Sequence, residues 1–316
     1  MGSPNGVISR VATTGVAGQA FALVAAMRPK QWAKNLIIFL PAAFTLNLSW
    51  DPGDLGDVAS ILADTGAAFG LFCLLSSGVY LINDLVDLDR DRLHPDKRLR
   101  PLPSGRLSRP MALIVSLLLI GTAIPLGFLL EIGFGVAASV YIGTMALYIV
   151  VLRGMVILDV FAIGAGFVTR AAAGALVISV DPSPWLYICT GLGALFIGFA
   201  KRRQELITLG AEGAHHRTSL SQYSREMLDH LITMLMASTL IAYILYTFTA
   251  ENLPSNDAMM LTIPFVTFGI ARYFYLIHAK NAGGSPEDIL MKDIPIMITV
   301  VLWMATTVAV LWTYRG

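Results

Sequence analysis

The sequence predicts an all-α, polytopic membrane protein, about nine transmembrane helices packed as one bundle. Three observations predict it. Hydrophobic residues make up 56% of the 316-residue chain and charged residues only 14%, whereas a soluble domain carries about 25% charged residues; mean hydropathy is +0.69. Apolar runs close to the ~20 residues needed to cross a bilayer recur along the chain. Lys and Arg fall almost entirely in alternate connections between those runs, the pattern that the positive-inside rule gives to successive crossings. The net charge of +1 says little by itself. Its distribution carries the information, and the partner it indicates is the lipid bilayer, not nucleic acid.

Residues 1–15 are polar and small, and 16–27 is a short, mildly apolar stretch that ends at Arg28-Pro29-Lys30. No small-residue cleavage site follows it, so no signal peptide is expected; 1–27 reads as a tail and an interfacial helix. Nine candidate spans come next, at roughly 34–50, 58–82, 109–130, 134–152, 155–180, 184–200, 228–250, 258–279 and 293–313. Basic residues precede the first span (Arg10, Arg28, Lys30, Lys34) and follow the second (seven from Arg90 to Arg109). They recur at Arg153, at Lys201-Arg202-Arg203 with Arg217 and Arg225, and at Lys280 and Lys292. The connections Trp50–Asp57, Glu131–Gly133, Val180–Pro184 and Glu251–Asp257 carry none. The N-terminus is therefore expected in the cytoplasm and the C-terminus outside, with two cap loops, 83–108 and 201–227, on the cytoplasmic side. The chain reads as one integral-membrane domain over 1–316. Cys73 and Cys189 lie in apolar runs and read as small core residues.

The second span runs into Tyr80-Leu81-Ile82-Asn83-Asp84-Leu85-Val86-Asp87-Leu88-Asp89-Arg90-Asp91. On a helix of about 100° per residue, Asp87 and Asp91 fall about 60° and 20° from Asp84, and Asp89 falls on the other side. Three carboxylates on one face at a membrane edge are costly unless paired or metal-bound. Carboxylate oxygens suit Mg²⁺, which keeps waters and shares its shell with substrate phosphates. Asp84, Asp87 and Asp91 are the expected metal ligands, with Asn83 beside them and Tyr80 one turn earlier. The plainer alternative is a solvated helix end paired to the arginines that follow. Asp159 and Arg170 lie three turns apart on one face of the fifth span, where an unpaired cation is costly. They form either an internal ion pair or a contact to substrate. The five histidines show no metal-ligand spacing.

Asn83-Asp84-x-x-Asp87-x-x-x-Asp91 resembles the first aspartate-rich motif of the UbiA superfamily of intramembrane prenyltransferases. The resemblance implies a nine-helix bundle with a cavity under a cytoplasmic cap, at the plasma membrane. Members that prenylate aromatic rings carry a second acidic motif after the sixth helix. Here that place reads Phe199-Ala200-Lys201-Arg202-Arg203-Gln204-Glu205-Leu206, with His215-His216-Arg217 and Tyr223-Ser224 beyond. That substitution of cations for acids is similar to the superfamily's phosphoribosyltransferase branch, as are Met27-Arg28-Pro29-Lys30-Gln31-Trp32-Ala33-Lys34-Asn35 and Asp159 with Thr169-Arg170-Ala171-Ala172-Ala173-Gly174. That branch joins phosphoribosyl diphosphate to a polyprenyl (decaprenyl) phosphate, with Mg²⁺, toward the arabinan of a cell wall. The resemblance makes Lys30, Lys34, Lys97, Arg98, Arg100, Lys201, Arg202 and Arg203 candidate phosphate ligands, since Arg offers a bidentate fork; each is otherwise a headgroup anchor. Lys201-Arg202-Arg203 spans about 200° of helix, so the three cannot all face one cavity. An aromatic prenyltransferase and a transporter are the alternatives. Gly-rich spans leave a homo-oligomer open.

Overall fold

A computed structural model describes residues 16–94, 96–209, 219–280, 288–289 and 292–315. His215, His216 and Arg217 lie outside the described residues. The chain opens with α1 (Val16–Ala26) and then a 3₁₀ helix, Pro29–Phe39, which passes directly into the short α2 (Leu40–Phe44). The long α3 (Leu55–Val86) follows, then α4 (Leu88–Leu93), α5 (Arg109–Leu130), α6 (Ile132–Val150) and α7 (Leu158–Leu176). After these come α8 (Pro184–Leu209), α9 (Arg225–Thr249), α10 (Ile263–Ala279) and α11 (Ile294–Arg315). Eight helices among the described residues are long and apolar enough to cross a membrane. Their outward faces expose large apolar side chains such as Leu117, Leu118, Leu129 and Val301. The molecule is a multi-pass membrane protein.

The expected first span, 34–50, is the exception to regular helix. A 3₁₀ helix rises about 2.0 Å per residue and an α-helix 1.5 Å. Residues 29–44 therefore extend about 30 Å, the thickness of a hydrocarbon core. The stretched form packs closely against α7, which lies between the two halves of the molecule. A Cβ on Gly174 would stand 2.2 Å from the Ile38 carbonyl oxygen, so only glycine lets the two backbones meet there. On one side of α7, Ile38, Phe72, Phe134 and Tyr141 form a core with α3, α5 and α6; on the other, Val160, Phe196, Phe199, Leu228 and Tyr273 form a second.

Helix ends are set by local chemistry. Asp54, Ser108, Glu131 and Ser224 cap α3, α5, α6 and α9, each accepting from a backbone N–H in the first turn. Glu131 alone separates α5 from α6. Residues 99–107 fold over the end of α3, with Leu102 and Leu107 buried against Ala22 and Ala26 of α1 and Leu81 of α3. His94 Nδ1 accepts from the Asp96 and Lys97 amides (3.2 and 3.4 Å) and shapes the turn that carries Lys97.

Candidate active site

The acidic motif does not continue as one helix. α3 stops at Val86 and α4 starts at Leu88, with Asp87 at φ −90°, ψ 5° between them. This corrects the expected common face for three carboxylates. Asp84 and Asp91 remain together and are buried. Both reach one nitrogen, Nη1 of Arg100, at 3.3 and 2.7 Å. Lys97 Nζ lies 3.8 Å from the other Asp91 oxygen. Asp84 also pairs with Arg28, whose guanidinium stacks over Tyr80, 5.0 Å from the ring centroid. Asp87 turns the other way, to Arg153 Nη1 at 2.5 Å.

Arg28 arrives by the folding of Met27–Asn35 onto the last turns of α3. Its backbone is left-handed (φ 56°, ψ 62°), an uncommon state for a residue with a Cβ. Ser77 Oγ donates to the Met27 carbonyl (3.2 Å), and Trp32 Nε1 donates to Ser77 Oγ (3.1 Å). Further along the same segment, Asn35 donates to Ser76 Oγ (3.3 Å). Lys30 is exposed and Lys34 half-buried on the same segment, and Asn83 is half-buried beside Asp84.

Asp159 and Arg170 do not pair. Eleven residues of α-helix separate them by about 16 Å along the axis, beyond side-chain reach. Arg170 is held by neutral groups: it donates to Asn35 Oδ1 (2.7 Å), Tyr141 Oη (2.8 Å) and the Gly166 carbonyl (2.9 Å). Its guanidinium also lies 4.5 Å from the Tyr141 ring centroid. Asp159 instead takes Arg202, Nε to Oδ2 at 2.8 Å, and Arg202 further pairs with Glu205. Tyr223 donates to Asp159 Oδ1 (2.9 Å). Burial first, and the Asp159 carboxylate in addition, push the Tyr223 phenol well above its ordinary pKa, so it stays a donor. Arg203 pairs with Asp229 and donates to the Ile277 carbonyl (3.2 Å). Arg202 and Arg203 are buried and point to different neighbours. Lys201 is half-buried and Arg98 exposed.

Sequence reasoning missed Arg28, Arg153 and Tyr223. Arg28 stood inside the quoted Met27–Asn35 stretch, Tyr223 was named only as part of a likeness, and Arg153 was visible only as a lone basic residue between two spans.

Among the described residues no three His, Cys, Asp or Glu side chains stand close enough to share one ion. The donor set nevertheless fits Mg²⁺. Two aspartates from successive helices converge on one cationic nitrogen, and Mg²⁺ characteristically takes one or two carboxylates and fills its shell with water and phosphate oxygens.

A separate cavity of about 370 Å³ runs from the middle of the bundle to the end away from these acids. Ile37, Phe44, Phe167, Ile197, Tyr246 and Trp303 line it. The expected cavity was one beneath the acidic cap; this apolar space stands at the opposite end of the bundle.

An all-helical membrane bundle with two carboxylates and several cations gathered beneath a polar cap is the setting of an intramembrane transferase that acts on polyprenyl substrates. The chain belongs to the UbiA prenyltransferase family, whose model matches residues 38–283. Among its relatives are the decaprenyl-phosphate phosphoribosyltransferases of Mycolicibacterium smegmatis and Corynebacterium glutamicum, each 30% identical. The first alignment covers 92% of this chain and 92% of the relative, and the second 89% and 84%. A UbiA homolog from Archaeoglobus fulgidus, solved with DMAPP and Mg²⁺, shares the fold at TM-score 0.69 and 18% identity, over 92% of this chain and 99% of that one.

Proposed function

We propose that the protein is a transferase that moves the 5-phosphoribosyl group of phosphoribosyl diphosphate to a polyprenyl phosphate, releasing diphosphate. The observation that carries this reading is the convergence of Asp84 and Asp91 on Arg100 in a chain aligned almost end to end with decaprenyl-phosphate phosphoribosyltransferases. An anionic lipid phosphate oxygen attacks the anomeric carbon, the bond to diphosphate oxygen breaks, and the configuration inverts. The nucleophile is already ionised, so no general base is needed.

Asp84 and Asp91 would hold Mg²⁺, with Asn83 alongside and Asp87, oriented by Arg153 at the junction of the two helices, completing the acidic motif. The bound ion supplies charge neutralisation for the leaving diphosphate. Arg100, Arg28 and Lys97 now neutralise the two carboxylates, and their N–H groups are the ones placed to turn to phosphate oxygens. Lys30, Lys34 and Arg98 lie on the same segments as Arg28, Lys97 and Arg100 and, with Lys201 near the end of α8, serve the remaining phosphates, while Tyr80 borders the ribose. Arg202, Arg203, Asp159 and Arg170 are engaged by protein partners and act as framework. Positioning and electrostatics carry the rate. The apolar cavity takes part of the isoprenoid chain. The positive-inside pattern supports a site, cap loops and N-terminus in the cytoplasm; the membrane would be the plasma membrane, and the product would feed cell-wall arabinan.

The assay is purified protein with Mg²⁺, decaprenyl phosphate and labelled phosphoribosyl diphosphate. Labelled lipid is expected. If none forms while a prenyl diphosphate and an aromatic acid react, the chain is an aromatic prenyltransferase instead.

A further inference from the structure

Ile157 sits at φ 69°, ψ −52°. The Leu158 amide donates to the Val156 carbonyl across it at 2.8 Å, so Val156–Leu158 is a γ-turn of the rare, strained hand. A β-branched residue there is a genuine outlier and persists only where its surroundings over-determine it. One side chain braces the strained residue directly. Tyr223 Oη accepts from the Ile157 amide at 2.6 Å and donates its own proton to Asp159 Oδ1 at 2.9 Å.

The turn leads to the acidic motif. Arg153 lies four residues before Ile157 and sends its guanidinium to Asp87, while its carbonyl accepts from Ser219 Oγ at 3.2 Å. Ser219 Oγ also lies 3.4 Å from Asp159 Oδ2, the oxygen paired with Arg202. Ser219 and Tyr223 come from the segment between α8 and α9; Arg153 and Ile157 come from the connection between α6 and α7. A network of buried polar groups therefore joins the basic end of α8 to the carboxylate that stands apart from Asp84 and Asp91.

We propose that Tyr223 is a positioning residue for the acidic site: by fixing the strained turn at Ile157 it sets Arg153 against Asp87. The cations that occupy the place of a second acidic motif thus act on the site indirectly. Arg202 orients Asp159, Asp159 orients the Tyr223 hydroxyl, and the hydroxyl holds the turn. The kinetic readout of this inference rests on the transferase reading above; the folding readout does not.

The test is a double-mutant cycle of Tyr223→Phe and Ile157→Gly. Tyr223→Phe keeps the ring that meets Phe199 edge-on at 6.3 Å and loses both hydrogen bonds. The apparent Mg²⁺ requirement and the KM for phosphoribosyl diphosphate should each rise about tenfold. The KM for the lipid should stay within about twofold, a split that general loss of structure does not produce. Glycine adopts φ 69° freely, so in the Ile157→Gly background Tyr223→Phe should cost less than about twofold. Equal losses in both backgrounds, or no change in donor KM and Mg²⁺ requirement on Tyr223→Phe alone, would overturn the proposal. If Tyr223→Phe does not fold, recovery of folded protein on adding Ile157→Gly supports it, and failure to recover overturns it. If the wild-type protein makes no labelled lipid, the transferase reading falls. Coupling between the two substitutions in thermal melting then decides the positioning claim, additivity overturning it.

Discussion

Asp84 and Asp91 are 1% and 3% exposed, and two buried carboxylates this close persist only because Arg28, Lys97 and Arg100 neutralise them. Asp84→Asn keeps the shape and hydrogen-bonding capacity but halves the negative charge offered to a divalent ion. Turnover and Mg²⁺-dependent donor binding should fall at least about a hundredfold, the upper end for losing even a residue that supports a metal ligand. The protein should remain monodisperse in detergent. Near-normal activity would remove the metal role. Arg170 gives the opposite expectation. Its three neutral partners make it part of the packing, so Arg170→Met should lower stability by about 2–4 kcal/mol through the stranded Asn35, Tyr141 and Gly166 acceptors. Donor KM should not move. A tenfold change in donor KM with unchanged melting would return Arg170 to the substrate site.

At the scale of elements, the close approach of the 3₁₀ segment to α7 is the tightest constraint on the framework. Gly174→Ala places a methyl group where the Ile38 carbonyl oxygen already stands, 2.2 Å away. The two backbones must separate, and the loss should be about 3 kcal/mol or more, read as a lowered melting temperature. Asp293 caps α11, accepting from the Ile296 amide (3.2 Å) and from Arg272 (3.0 Å). The Arg272 hydrogen bond, first among several causes, holds its carboxyl below the ordinary range. A depressed folded pKa stabilises above the unfolded value and is lost as pH falls through the folded one. The melting advantage of wild type over Asp293→Asn should accordingly be full at pH 7 and fade below about pH 4. An advantage that is as large at about pH 2 as at pH 7 would contradict the pairing. These elements also show what the sequence made legible. Spans two to nine were readable because length and apolarity suffice. The break at Asp87 was not readable, since neither Gly nor Pro announces it. The 3₁₀ form of 29–39 was hidden too, because apolar periodicity does not distinguish it from α-helix. Arg28 escaped because its partner lies 56 residues away and its left-handed backbone has no sequence marker.

For the whole molecule, the number of crossings decides which ends share a side. Eight regular helices alone would leave the two ends of the crossing region on one side, and nine crossings separate them. The contacts favour nine. Arg28, at the start of the first segment, meets Asp84 at the acidic end of the bundle. At the other end of that segment the Phe44 and Leu46 carbonyls each accept from Arg315 Nη1 at 2.9 Å, and Asn47 donates to the Trp312 carbonyl at 3.4 Å. Residues 28–44 therefore run the length of the bundle, from the acid site to the C-terminal end of α11. The same contacts explain why a basic residue stands at the end that is otherwise poor in Lys and Arg. Arg315 satisfies carbonyls that α2 leaves open, and its charge there follows from packing. Reporter fusions distinguish the two counts directly. A cytoplasm-active reporter should work at the N-terminus and fail at the C-terminus, and a reporter that needs export should do the reverse. Both ends reporting the same side would mean that the stretched 3₁₀ segment enters the bundle without crossing the bilayer. The acidic site would then have to be reached from a side set by the remaining eight helices.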